Sequence, residues 1–580
     1  MRHAACARLR HAVPFLSSVV EAGQMRPSRT TLGLVVLVLL LGAGWALALD
    51  DGSLSFKDAE VRLGDRLFFE TRFSQFYHAK AGGDSNHTLL AGDPIMEKVP
   101  VVAGEDLPGP FKGQGINCRQ CHLGSDFLPE HLRAGRTYGD FSRRSPIPDR
   151  GDGQSVTTRN SPIMIDLGLP REVPVLLHLD GEFITHEDLI IDTLTGRNFG
   201  WLPTEVEIAK KHVAKIVRED TGTNPRHIRY PDGRGIPYGV VLKGTDPLLL
   251  HQQIPEEYRI DVETASDDEI LMAVAKLIHA YMDSLRFGTH NTFRESGAPY
   301  DLFLKKNALP TAPEKGESAA AYSRRLLDTI ETRSSFEWVR ASDDYFMLHQ
   351  QPFVFGPEEL AGMKIFFAAP DPGTGAHVGN CVACHPAPRF SDFSLHNNGV
   401  SQVEYDAIFG QGEFAKLEIP DLEERNANFD AYLPATARHP NARGRFRSIP
   451  AKSRPGYTDL GVWSIYGNPD FPKPQAALSQ ILCGPGGPAK SGCKPADVLP
   501  LTIGYFKTPA VRDLGQSEPY FHTGDLDTID QVLQFYVSTS ELARAGKLRN
   551  GSPEMTDIHI DRSDVAPLAA FLRSLNEDYH

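Results

Sequence analysis

Strand-like alternation of apolar and polar residues is scarce in this chain, and that scarcity argues against a mainly β architecture. Cationic side chains are outnumbered, 60 Lys and Arg against 74 Asp and Glu, for a net charge of −14. A balance this acidic argues against nucleic acid and against an anionic membrane surface, and it favours a basic protein partner through electrostatic steering. Cysteine is sparse, seven residues in 580: Cys6 lies upstream of the signal-like stretch and the other six fall in three local pairs. Loop-forming residues are plentiful: 51 Gly and 43 Pro stand beside 41% apolar and 23% charged residues, the composition of a globular protein with long connections. A chain of this length is too long for one core, and two or three domains are expected.

At the N-terminus, Arg26 and Arg29 precede an apolar run from Leu32 to Leu41 and a small-residue site at Ala46-Leu47-Ala48. This is the layout of an export signal, expected over residues 1–48. The 24 residues before Met25 fit no part of such a signal, so a start at Met25 is an alternative, and an uncleaved anchor is the competing reading of the apolar run. The expected location is the periplasm, with the outer cell surface also open. Cys483 and Cys493 flank "GPGGPAKSG", and in an oxidising compartment they are expected to close that loop as a disulfide.

Four of the remaining cysteines fall in "INCRQCHLG" and "GNCVACHPA". A Cys-x-x-Cys-His pattern attaches haem: two thiols add to the vinyl groups and the following histidine lies beneath the iron. By chance the pattern should occur on the order of 0.003 times per chain, and it occurs twice. Zinc is the competing ligand, disfavoured by the exported location and by the duplication. Two covalent haem c groups are therefore expected, one on Cys118 and Cys121 with His122 as proximal iron ligand, the other on Cys381 and Cys384 with His385. The surroundings repeat too. "EVRLGDRLFF" and "ELAGMKIFF" share a Gly-x-x-aliphatic-Phe-Phe core upstream of each motif, as if one haem-binding unit had been duplicated. "SDDEILMAVAKLIHAYMDSLRF" opens with a capping box, Ser266 to Glu269, and carries Ile270, Leu271, Val274, Leu277, Ile278 and Tyr281 on one face. "DTIDQVLQFYV" and "DVAPLAAFLRSL" also read as helices. A boundary is expected near residues 345–355, giving an N-terminal haem domain over 49–350 and a C-terminal one over 351–580.

With both haem motifs in place, the chain resembles the bacterial dihaem cytochrome c peroxidase family. "LGDRLFFETRFS", "TTRNSP", "HLDGEF" and above all "FKTPAVRDLGQSEPYFHTG" carry the likeness. The resemblance implies a mainly α fold of two cytochrome c-like haem domains packed against each other, with long loop insertions at about 71–117 and 386–505. It implies that the N-terminal haem meets hydrogen peroxide and that the C-terminal haem takes electrons from a small cytochrome c or copper-protein donor; a homodimer is open. It places the acid/base carboxylate at Glu205, with Glu207 as the alternative and an ordinary first-turn helix carboxylate as the plain reading of either. It also implies a calcium ion held by the Asn160 side chain and the carbonyls of Ser517 and Pro519; Asn160 could equally be a turn residue bonding its own backbone.

The chain departs from the family in three places. The loop before "TTRNSP" has no histidine to cap a resting N-terminal haem, which suggests an open site. Leu179 stands where the family has a tryptophan between the haems, leaving Trp201 as the only substitute suggested. Tyr536 stands 14 residues beyond His522, where the peroxidases place a methionine ligand. A tyrosine there resembles the dihaem enzyme that matures methylamine dehydrogenase by oxidising a protein substrate. A packed helix tyrosine, with Met555 or His522 at the iron or no sixth ligand, is the alternative. The expected activity is peroxide reduction. Oxidation of a protein or organic substrate through high-valent haem, and non-catalytic electron transfer, are the other readings.

Overall fold

The computed structural model describes residues 58–96, 98, 99, 107, 108, 114–122, 143–162, 164, 171–223, 235–247, 253–285, 297–346, 351–370, 375–489 and 492–577. The expected export signal lies outside them. The described chain is mainly helical. Its strands are two short antiparallel pairs, Lys98–Val99 with Leu107–Pro108 and Leu395–His396 with Phe506–Lys507, in keeping with the scarcity of alternation.

Seven helices position the sites: α1 (Ala59–Phe68), α2 (His186–Thr195), α3 (Val206–Glu219), α4 (Asp267–Asp283), α5 (Pro357–Phe367), α6 (Ile529–Arg544) and α7 (Val565–Arg573). Helix α4 begins at the anticipated capping box: the Glu269 amide donates to Ser266 Oγ at 3.3 Å, and the Ser266 amide donates to the Glu269 carboxylate at 2.8 Å. All six of its anticipated apolar residues are buried. The Thr528 hydroxyl caps α6 by accepting from the Gln531 amide at 3.2 Å.

The two sequence repeats occupy equivalent places. Helix α1 crosses α4 where Gly64 meets the Leu277 carbonyl, and α5 crosses α7 where Gly362 meets the Pro567 carbonyl. Four residues after each glycine is a phenylalanine, and four residues after each carbonyl is an aromatic ring. Phe68 meets Tyr281 and Phe366 meets Phe571, both at a centroid distance of 5.2 Å. The same register at both crossings is the three-dimensional counterpart of the repeated Gly-x-x-aliphatic-Phe-Phe.

Each crossing lies in its own apolar core. The first draws on residues between Leu63 and Leu285, the second on residues between Tyr300 and Leu575. Tyr300, Phe303, Tyr322 and Ile330 thus pack with the second crossing, upstream of the expected boundary at 350. A third core, gathered almost entirely from residues 395–505 around Trp463, gives the longer insertion a fold of its own. Within it the Cys483–Cys493 disulfide is formed, with a Cα–Cα distance of 5.8 Å.

Candidate haem sites

Each Cys-x-x-Cys-His motif begins as one 3₁₀ turn, Cys118–Gln120 and Cys381–Ala383. The amides of Cys121 and His122 donate to the Cys118 carbonyl at 3.1 and 3.0 Å, and those of Cys384 and His385 to the Cys381 carbonyl at 3.2 and 2.7 Å. All four thiols are free. The turn sets both thiols of a pair within one short arc and the histidine directly after it. Both imidazoles are held the same way: His122 Nδ1 lies 3.1 Å from the Pro162 carbonyl and His385 Nδ1 lies 2.9 Å from the Phe390 carbonyl. A carbonyl only accepts, so Nδ1 carries the proton and Nε2 keeps its lone pair for a metal. Burial pushes both imidazoles down, His122 to about 4, so both are neutral and able to ligate at physiological pH. Burial likewise pushes the Cys118 and Cys381 thiols up to about 12.

Beside the first motif lies a cavity of about 1020 Å³, lined by Cys118, Cys121 and His122 and by apolar Phe68, Ile116, Leu194, Ile278 and Met282. Paired free thiols, a neutral imidazole and an apolar wall fit a covalent haem. Residues of the insertion between 434 and 457 also line the cavity. Buried ion pairs tie the insertion to the rest. Arg159 bridges Asp180 and Asp459, each at 2.6 Å, and Arg447 grips Glu182 at 2.7 Å. Glu182 in turn meets His178 Nδ1 at 2.9 Å. Burial would raise the Glu182 carboxyl, but Arg447 and His178 override it and hold it well below the carboxylate range.

At the second motif, Tyr536 of α6 packs with Cys381 against the second core, and its hydroxyl oxygen accepts from Asn398 Nδ2 at 3.1 Å. Burial pushes its hydroxyl up to about 12, opposed by the Asn398 bond and reinforced by the thiols of Cys384 and Cys381. Tyr536 therefore lies within electrostatic reach of both cysteines of the motif. Met555 is buried in the same core, while His522 stacks on Phe506 at 3.8 Å with its Nε2 3.4 Å from Ser401 Oγ.

Glu205 is held at the start of α3. Arg150 Nη2 donates to it at 2.8 Å and the Leu202 amide at 2.8 Å. Burial raises its pKa, but these bonds outweigh it and the net shift is downward. Its neighbours Leu202, Pro203 and Thr204, and its partner Arg150, line the cavity. Glu207 points to solvent, pairing with Lys210 at 3.1 Å. The Asn160 side-chain amide contacts the Pro519 carbonyl and, at 3.4 Å, that of Phe521, while the Asn160 amide donates to the His522 carbonyl at 2.7 Å. Two of the three anticipated calcium ligands, Asn160 and Pro519, are thus brought together, and rotation of the Asn160 amide would turn its oxygen toward the carbonyls. Ser517 ends the 3₁₀ turn Leu514–Gln516. Trp201 is buried beside His78 and His212 in the first core, donating to the Phe73 carbonyl at 3.3 Å.

Sequence reasoning missed His178, which lines the cavity one residue before Leu179, and Arg150, Asn398 and Lys507. The signal for His178 was the histidine opening "HLDGEF"; the other three depend on contacts between distant segments.

No protein-family model matches the chain. A stretch of 198 residues, 34% of this chain, is 28% identical to the cytochrome-c peroxidase IdrP2 of Denitromonas iodatirespirans and spans 36% of that protein. The diheme peroxidase BthA from Burkholderia thailandensis E264 overlays on 90% of this chain and 87% of its own, with 15% identity and a TM-score of 0.43. A MauG-like protein associated with microbial copper homeostasis overlays on 90% of each chain, with 15% identity and a TM-score of 0.36. Overlays this loose transfer no function. The resemblance to dihaem peroxidases read from the residues has a curated counterpart: over about a third of its length, the chain is similar to a cytochrome-c peroxidase.

Proposed function

We propose that this protein is an exported dihaem c-type peroxidase that reduces hydrogen peroxide with electrons from a small cytochrome c or copper protein. The observation that carries the reading is the equivalence of the two Cys-x-x-Cys-His turns. Each has free thiols, an Nδ1–H fixed on a backbone carbonyl, and its own glycine-mediated helix crossing. This supports two cytochrome c-like haem domains, nominally 49–350 and 351–580, with residues from Tyr300 onward contributing to the second core. The signal-like stretch ending at Ala48 supports export to the periplasm.

Cys118, Cys121 and His122 would hold one haem and Cys381, Cys384 and His385 the other. Bound haem supplies the redox-active iron at which peroxide is reduced. The chain's own residues fix the ligands and move the protons. The Pro162 and Phe390 carbonyls orient the imidazoles. Arg150 keeps Glu205 ionised beside the cavity wall, as a base that takes a proton from one peroxide oxygen and returns it to the other. Asn160, with the carbonyls of Ser517 and Pro519, would take calcium through hard oxygen donors.

One observation favours a second reading, oxidation of a protein or organic substrate: Tyr536, not a methionine, stands beside the second pair of thiols. The test is peroxide consumption by the two-haem protein with a reduced carrier. Consumption supports the peroxidase, whereas consumption only when an organic or protein substrate is added supports the second reading.

A further inference from the structure

The cavity beside His122 is far more cationic than the protein that contains it. The chain carries −14 overall, yet the only carboxylate among the cavity's described lining residues is Asp152, and it pairs with Arg197 at 2.7 Å. Arg150, Arg159 and Arg447 are answered by Glu205, by Asp180 and Asp459, and by Glu182. Five further cations line the cavity, Arg171, Arg389, Arg443, Arg454 and Lys507, and the last four make no ion pair with a described residue. Lys507 is 9% exposed and donates to the Leu176 carbonyl at 3.1 Å. Burial, aided by Arg171 and opposed by Asp180, lowers it to about 7.

The excess has a sequence origin. Between Ala431 and Thr458 there is no Asp or Glu, while Arg438, Arg443, Arg445, Arg447, Lys452 and Arg454 fall in that stretch. A haem has two propionates, which would answer two of the four unpaired cations. The remainder still present positive charge to a partly enclosed space, where a field of one sign concentrates anions. The wall is also apolar: Pro434, Ile449 and Tyr457 line it, and the Arg454 guanidinium lies 5.0 Å from the centroid of the Tyr457 ring. Cation and aromatic face side by side suit a molecule with a carboxylate at one end and a hydrocarbon body at the other.

We infer that the insertion forms a binding site for a small organic carboxylate against the 434–457 wall, with Arg443 and Arg454 as its ionic anchors. The inference rests on haem filling the part of the cavity beside His122, and it names the chemical class of a second occupant of that site.

Calorimetric titration of the two-haem protein at low ionic strength, with benzoate and its neutral counterpart benzamide as probes, tests this. Benzoate is expected to bind once per chain, at least tenfold more tightly than benzamide, without moving the haem absorption bands. Arg443→Gln with Arg454→Gln should weaken benzoate at least tenfold and leave benzamide unmoved; both side chains are exposed, so the exchange removes charge without opening the core. Absent benzoate binding, equal affinities for the two probes, an unaffected double variant, or binding that shifts the haem bands would each overturn the inference. Peroxide consumption is read separately. A protein that consumes peroxide and ignores benzoate refutes only the carboxylate site, and one that binds benzoate without consuming peroxide refutes only the peroxidase reading.

Discussion

Gly64 and Gly362 occupy the same place in two copies of one helix crossing, each pressed against a backbone carbonyl of the partner helix, Leu277 in one copy and Pro567 in the other. A β-carbon at either position would overlap that oxygen, and neither a helix backbone nor its carbonyl can swing aside as a flexible side chain does. Gly64→Ala and Gly362→Ala should each destabilise the fold by about 3 kcal/mol or more, toward the upper end of overpacking costs. Thermal or denaturant unfolding checks this. Near-neutral alanines would mean the crossings are looser than described.

Tyr536 stands beside the second Cys-x-x-Cys pair with Asn398 donating to its oxygen; that bond favours the phenolate, but burial outweighs it and holds the free hydroxyl protonated, so phenolate character would have to come from the iron. If the phenolate binds the C-terminal iron, Tyr536→Phe should change the resting absorption spectrum of that haem, and Tyr536→Met should raise its potential. A Phe variant with the parent spectrum would return Tyr536 to the role of a packed helix residue.

Glu205→Gln keeps the size and the Leu202 amide bond of the carboxylate but removes its basicity. Peroxide turnover should fall by roughly 10² with both haem spectra intact, the scale of a lost general acid/base. An unchanged rate would assign the proton transfer to another group, with His178 the next candidate on the cavity wall.

Asn160→Ala removes the one side-chain oxygen expected at the calcium site. Calcium content measured after dialysis should drop relative to the parent. Equal content would leave Asn160 as a structural link to the Pro519 and Phe521 carbonyls.

Legibility followed range. The haem motifs, the α4 capping box and the repeated glycine core were readable because their signals lie within a turn or two of chain. The disulfide was readable from two cysteines flanking one loop. Tyr536 was readable only by counting from His522 within a recognised segment. The cavity wall was not readable, because it forms where Arg447 reaches Glu182 across 265 residues and Arg159 reaches Asp459 across 300. Local periodicity carries no record of such pairings. The basic stretch from 438 to 454 was present in the sequence, but only its placement against the His122 cavity gives it a role. The expected boundary at 350 shows the same limit. Tyr322 and Ile330, at helical spacing upstream of it, bury into the second core, a contact that local composition does not record.

The most direct test of the account is steady-state hydrogen peroxide consumption with a reduced small cytochrome c, in protein whose denatured mass shows two haems per chain. Peroxide and two protons take two electrons to give two waters, so the account predicts two carrier molecules oxidised per peroxide. It also predicts that turnover is lost when Cys118 and Cys121, or Cys381 and Cys384, are replaced by alanine, each pair removing one haem from the mass. Two haems retained in either double variant, or no carrier-dependent consumption by the intact protein, would contradict it.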